Sequence, residues 1–374
     1  MPGLRLDQLI QDPRLLPLAD KVEDGTRLSS DDGLLLYETP DLTGVAALAG
    51  VVRERLHGKK TYFVQGRRLS YSNICASGCR FCAFHAPPGD PKGFALTAEE
   101  VVGELKEAKN SGIRELHMVG GHNPALGVEY FESLFRAIKG HFPDLHLKVF
   151  TMVEIAYYAS NSGISTGEFI DRCIEAGLGS CPGGGAEIFN TAIRQAIAPG
   201  KGDADVWLAT ARLCHQKGLP TNCTMLYGHL EGAGHKVDHL LRLRGLQDES
   251  LGKGKTGFLA YIPLAFQTHG NPLARASGIQ ATTGTQDLRE IAVARLMLDN
   301  VSHVKAYWVM ITPGLAQVGL SYGADDLDGT VFGEEIAHRA GAKTPTGLTV
   351  AEVCRLITEA GYDPVERDTL YRTV

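Results

Sequence analysis

Cys75, Cys79 and Cys82 stand in the segment Cys-Ala-Ser-Gly-Cys-Arg-Phe-Cys. Three thiols so close in sequence converge on one centre only if the backbone curls around it, and Gly78 eases that curl. Such a triplet leaves a four-iron cluster one ligand short. An iron with an open coordination position is a site of reaction rather than an electron carrier alone. The same thiolates could instead bind zinc with His85 as fourth ligand, since three cysteines and a histidine form an accepted tetrahedral set. Structural zinc modules, however, usually join two ligand pairs across a longer loop. A disulfide is disfavoured in a reducing compartment. The remaining five cysteines, Cys173, Cys181, Cys214, Cys223 and Cys354, are scattered and read as small core or loop residues.

Positioning three thiols requires a scaffold, and the chain is long enough to supply one. Its 374 residues are 44% hydrophobic and 21% charged, with a net charge of −6, a balance that excludes a disordered chain or a small disulfide framework. Without a basic run, general binding to nucleic acid or to an anionic membrane is disfavoured, and a small-molecule partner is expected. No stretch approaches the roughly 20 apolar residues needed to span a bilayer. Met1 to Leu16 lacks a secretory signal core, so a cytoplasmic protein without a membrane span is expected. Glycine, at 44 residues, exceeds its usual share of about 7% and points to tight turns or close backbone approaches.

From about residue 97 amphipathic helical patterns alternate with short apolar runs. Capping pairs Thr97/Glu100, Ser165/Glu168 and Thr349/Glu352 open helices, and Gly112, Gly177 and Gly218 end them. Strands are predicted at Tyr62–Gln65, Ile113–Val119, His146–Thr151, Leu178–Cys181, Thr221–Tyr227, Phe258–Ala265, Val304–Met310 and Ala324–Leu327. Eight strands with intervening helices predict an α/β fold, a (β/α)8 barrel over residues 61–330. An N-terminal helical extension (1–60, with its clearest helix at Leu42–Leu56) and a C-terminal extension (331–374, with a helix at Thr349–Ala360) would pack on it. A doubly wound sheet stays open, since pattern alone does not reveal closure. In a barrel the residues just after each strand share one rim, where chemistry collects.

The spacing CxxxCxxC, with an aromatic residue before the last cysteine and at the opening of a βα barrel, resembles the radical S-adenosylmethionine (SAM) enzymes. The resemblance implies that Cys75, Cys79 and Cys82 hold a [4Fe–4S] cluster whose fourth iron is chelated by SAM. It further implies that reductive cleavage of SAM gives methionine and a 5′-deoxyadenosyl radical, with the protein positioning that chemistry. Gly120 and Gly121, after the second strand, match the glycine pair whose backbone meets the SAM amino group, although His122 stands where relatives carry Glu. Glu154 would accept from ribose hydroxyls, while Gly184, in the run Gly183-Gly184-Gly185-Ala186-Glu187, and Arg194 on the following helix would complete the SAM site.

Several segments narrow the resemblance. Gly183–Glu187, Met225–His229, Ile262–Phe266, His303–Trp308 and Gly323–Thr330 together are similar to the aminofutalosine synthases of the futalosine route to menaquinone. Ser70-Tyr71-Ser72-Asn73 and Gln267–Asn271 depart from the family pattern. The resemblance implies addition of the adenosyl radical to 3-[(1-carboxyvinyl)oxy]benzoate, aryl migration and decarboxylation, with SAM consumed as co-substrate. An external donor such as flavodoxin or ferredoxin is expected by the same analogy. An aromatic dicarboxylate requires cationic donors and apolar walls. The candidate cations are His229, Arg275, His303 and Lys305, and the candidate walls are Tyr227, Tyr307 and Trp308. Strand alternation allows only one of Tyr307 and Trp308 to face the lumen. Asp326, Asp328 and Thr330 could hydrogen-bond the adenosyl part or a water, and His229 and Asp328 are the preferred catalytic candidates. The alternatives are a dehypoxanthine futalosine cyclase, a deazaflavin-type synthase and a zinc-stapled binding protein.

Overall fold

A computed structural model describes residues 6–107 and 112–374. Among the described residues, eight positions of parallel strand, in three sheets joined by single bridges, close into a ring. The first is shared by two strands in series, β1 (Lys60–Val64) and β2 (Gly66–Ser70). It is followed by β3 (Glu115–Val119), β4 (His146–Val149), β5 (Leu178–Ser180), β6 (Thr221–Tyr227), β7 (Phe258–Ala265), β8 (His303–Val304) and β9 (Asp326–Gly329). β2 pairs with β3 from Gly66↔Glu115 to Ser70↔Val119, while β1 pairs with β9 through Tyr62↔Asp326 and Val64↔Gly329. Single parallel bridges, Cys181↔Thr221 and Lys305↔Asp326, join β5 to β6 and β8 to β9. These bridges complete the barrel. A tenth strand, β10 (Asp363–Glu366), adds to the outside of β1 in parallel.

The local signals for helices operate as expected. Thr97, Ser165 and Thr349 each accept the backbone N–H three residues on, at 3.2, 3.1 and 3.2 Å, which satisfies one of the unpaired donors of a first helical turn. Gly177 and Gly218 end their helices with positive φ, whereas the helix end before Gly112 lies outside the described residues. The N-terminal helix Leu42–His57 packs against the barrel helix Gly284–Met297. Its buried Arg53 donates to the Ala324 carbonyl (3.1 Å) and the Thr61 hydroxyl (2.7 Å), fastening this extension to β1 and β9.

Three strand assignments change. The run Val304–Met310 is a strand only at His303–Val304, and a short helix, Trp308–Ile311, follows. Its aromatic and branched residues are buried by packing, with Trp308 Nε1 donating to the Gly329 carbonyl at 2.9 Å, so burial rather than sheet pairing explains the apolar run. The eighth strand is displaced from Ala324–Leu327 to Asp326–Gly329. Gly66–Ser70 was not expected as a strand because its inward side chains enter a polar lumen, which inverts the usual apolar-inward signal.

Candidate active site

The segment after β2 curls through Cys75, Cys79 and Cys82, and all three cysteines line one cavity of about 310 Å³. Backbone bonds fix this loop on both sides: Cys75 N–H donates to the Ala86 carbonyl (2.9 Å), and Arg80 N–H to the Ile197 carbonyl (2.8 Å). A Cβ at Gly121 would lie 2.1 Å from the Ile74 carbonyl oxygen and 2.7 Å from Cys75 Cβ. At Gly200 a Cβ would lie 2.2 Å from the Ser77 carbonyl oxygen. Glycine at these two points lets the β3 rim and the loop before Lys201 press directly onto the cysteine segment.

The electrostatics around the thiols are uneven. Burial pushes the Cys79 thiol up to about 11, even with the Lys201 ammonium opposing it. Burial acts in the same direction on Cys82, but hydrogen bonds from His85 and from Phe84 N–H outweigh it and hold that thiol below its usual value. Lys201 pairs with Glu187, and both line the cavity. Among the described residues, the one group of three ligating side chains whose ligand atoms all lie within 4.8 Å of one another is elsewhere, at His57, His303 and Asp325. A single zinc ion with bonds of about 2.3 Å would draw thiolates closer together than that. Three cysteines spread around one cavity fit a larger, multi-iron centre.

Glu154 reaches the cavity from the first turn of helix Met152–Asn161. One carboxylate oxygen accepts from Gly120 N–H (2.9 Å) and from the Tyr71 hydroxyl (2.5 Å), and the other accepts from Thr151 N–H (2.6 Å). The group is thus built into the β3 rim and aligns the backbone at Gly120. Gly184 also lines the cavity, and its carbonyl accepts Trp207 Nε1 at 3.0 Å. His122 accompanies the cysteines: its N–H approaches Cys75 Sγ at 3.3 Å, its ring stacks on Tyr157 and Nδ1 meets the Ser77 hydroxyl at 2.6 Å. Burial lowers its pKa to about 3, so the imidazole is neutral near pH 7.

Other sequence candidates lie apart from this lining. Arg194 is buried with its guanidinium spent on carbonyls, donating to Gly185 (2.9 Å), Ala186 (2.5 Å) and Gly202 (2.7 Å). It braces the triple-glycine loop. His229 is folded back on its own turn, with Nε2 on the Leu226 carbonyl (3.0 Å) and Nδ1 accepting Leu230 N–H (2.7 Å). Asp328 lies in the lumen below the cavity, between Lys305 and Arg68. Of the aromatic pair, Tyr307 lines the cavity and Trp308 does not.

Arg68 and His117, side by side on β2 and β3, line the cavity and were not singled out from the sequence. Arg68 lies 5.2 Å over the Tyr307 ring, 2.5 Å from Asp328 and 3.5 Å from Glu334. Its side chain is 14% exposed. The available signal was its position two residues before the end of a strand leading into the cysteine loop, hidden because that strand itself was not recognised.

Comparison with known proteins agrees with this geometry. Residues 69–243 match the radical SAM superfamily and residues 255–374 match the CofH/MqnC C-terminal region. The chain is 49% identical to the aminodeoxyfutalosine synthase of Thermus thermophilus over 98% of this chain and 97% of that one. The chain belongs to the aminodeoxyfutalosine synthase family. A second synthase, from Streptomyces coelicolor, is 41% identical over 95% of this chain and 92% of its own. The 5-amino-6-(D-ribitylamino)uracil–L-tyrosine 4-hydroxyphenyl transferase of Methanopyrus kandleri is 35% identical over 99% of this chain and 97% of that one. Among solved structures, methylornithine synthase superposes with a TM-score of 0.70 at 19% identity, covering 93% of this chain and 97% of that chain, and shares the barrel fold. As a radical SAM enzyme, this member of the synthase family works with a [4Fe–4S] cluster and SAM, and no described helix is long and apolar enough to cross a membrane.

Proposed function

We propose that the chain joins the 5′-deoxyadenosyl group of SAM to 3-[(1-carboxyvinyl)oxy]benzoate, with aryl migration and loss of a carboxyl group, to give 6-amino-6-deoxyfutalosine. The observation that carries this reading is full-length identity of 49% to a synthase, combined with one cavity that receives both the cysteine triplet and the partly buried Arg68 guanidinium. Cys75, Cys79 and Cys82 hold the cluster. When bound, the cluster and SAM supply the adenosyl radical. Gly120 and Gly121 present rim backbone to the SAM amino acid portion, and Glu154 keeps that backbone in place through the Gly120 N–H.

Arg68, whose three guanidinium nitrogens face His117, Asp328 and Glu334, takes a substrate carboxylate in exchange for Glu334, its longest contact at 3.5 Å. A charge-assisted hydrogen bond from a guanidinium held in place by its other partners orients a carboxylate as well as binding it. Tyr307 beneath it, with Ile262, Leu264 and Met310, supplies an apolar wall suited to the aryl ring. Lys201 supplies positive charge beside Cys79 and Glu187. A reductant of the flavodoxin or ferredoxin type delivers the electron, and the reaction takes place in the cytoplasm.

Incubation of the reduced enzyme with SAM and the benzoate ether, followed by mass analysis, tests the assignment. Covalent transfer of the adenosyl group supports it. Release of free 5′-deoxyadenosine with a futalosine-derived substrate, and no adduct with the ether, would support the cyclase instead.

A further inference from the structure

At the end of the barrel opposite the cysteines, three separate segments bring together ligating side chains that the proposed reaction does not use. His57 is the last residue of helix Leu42–His57, His303 is the first of β8, and Asp325 immediately precedes β9. Their ligand atoms all lie within 4.8 Å of one another. Asp325 Oδ2 is 2.5 Å from His303 Nδ1 and 3.4 Å from His57 Nε2, and the two imidazole rings stack with centroids 4.9 Å apart. The other carboxylate oxygen is committed to Arg295 and to Val304 N–H at 2.8 Å. Arg295 also donates to the Ser302 carbonyl (2.9 Å), which in turn lies 2.8 Å from His57 Nε2. Arg295 therefore holds Asp325 through Oδ1 alone, from behind, and leaves Oδ2 facing the two imidazoles, as hydrogen-bonding partners behind metal ligands do.

We propose that His57, His303 and Asp325 bind a borderline first-row divalent cation, zinc in kind, at the barrel floor. Two imidazoles and one carboxylate form a donor set suited to zinc. Magnesium and calcium require six or more oxygens, which this cluster does not provide. Arg295 offsets the charge of Asp325, so affinity rests on the imidazoles, and this further favours a nitrogen-seeking ion. Binding requires each ring to carry its proton on the nitrogen that faces away from Asp325. Such an ion would staple the N-terminal helix to the barrel floor. It would also hold Tyr371 of the C-terminal tail, which stacks on His303 with ring centroids 3.6 Å apart. Without an ion the same atoms form an Asp–His hydrogen-bonded cluster, whose contacts zinc replaces.

The test uses cluster-loaded enzyme, incubated anaerobically with zinc chloride, desalted and analysed for iron and zinc. The wild type should retain about one zinc per chain beyond the cluster iron. His57→Gln and His303→Gln, on different segments, should each weaken zinc retention on the order of tenfold with iron content unchanged. Zinc, but not magnesium, should raise the melting temperature of the wild type, which keeps the test decisive if either variant folds poorly. Absence of a zinc-specific shift in the wild type, or zinc that persists in both variants, overturns the site. Neither result bears on the synthase reaction.

Discussion

The rim of the barrel and the lumen beneath it are both rich in polar side chains, but they are wired differently. In the lumen, acids face cations: Asp328 meets Lys305 and Arg68, Asp326 meets Arg367 at 2.7 Å, and Glu115 meets Lys148 at 3.3 Å. At the rim, the cysteine loop, Gly120 and Gly121 are held mainly through backbone contacts, while the thiols border open space. A buried charge near a site is therefore no sign of a catalytic role when its partners are already in place. Asp328 is explained by its counterions, and removing one member of such a pair strands the other in a poorly solvated place. Arg68 belongs to both regions, paired in the lumen with Asp328 and bordered in the cavity by His117 and by Glu334 at 3.5 Å, a long contact that a substrate carboxylate can replace.

The sharpest way to break this contrast is at the rim. Replacing Cys75, Cys79 or Cys82 by Ala should abolish turnover and cluster loading while far-ultraviolet circular dichroism stays native; a variant that kept turnover would remove the thiols from the chemistry. In the lumen, Asp328→Asn should lower stability by about 3–5 kcal/mol in urea unfolding, since Lys305 and Arg68 lose a buried partner, yet leave the iron content unchanged. At the junction, Arg68→Ala should reduce kcat/KM for the benzoate ether on the order of a hundredfold, with Arg68→Lys restoring part of it. Equal losses for an analogue lacking the carboxylate would count against the anchor.

A pH experiment probes the packed body outside both regions. Burial holds the His146 and His215 imidazoles down at about 4 and His239 at about 3, against 6.5 for the ordinary group. The unfolded chain takes up these protons as pH falls below 6.5, whereas the folded chain resists until it reaches the lowered values. Stability present above pH 6.5 should therefore decline toward pH 3–4, by about 1.4 kcal/mol per pH unit for each ring. Urea midpoints measured between pH 7.5 and 5.5 check the sign, and a midpoint that stayed flat would contradict it. The smallest effect is expected for His229→Gln, because that ring serves its own turn outside the cavity.

The barrel was legible because βα alternation, capping residues and glycine stops are local signals that report burial and helix ends directly. The cysteine centre was legible for the same reason, being contained in one short segment. Arg68 was not: the strand carrying it turns a charged side chain inward, and only tertiary pairing with β3 makes Gly66–Ser70 extended. His229 and Asp328 were drawn to the site by their positions at strand ends, but position along a strand does not reveal whether local carbonyls or counterions have already claimed a side chain. The same limit applies to Arg194, whose partners are three carbonyls that no side-chain pattern encodes.

The most direct measurement is isotopic. With SAM carrying label in its adenosyl ribose, the reduced enzyme and 3-[(1-carboxyvinyl)oxy]benzoate should yield one product of the mass of 6-amino-6-deoxyfutalosine that retains the label, and the Cys79→Ala variant should yield none. Label found only in free 5′-deoxyadenosine, with the ether unchanged, would contradict the account.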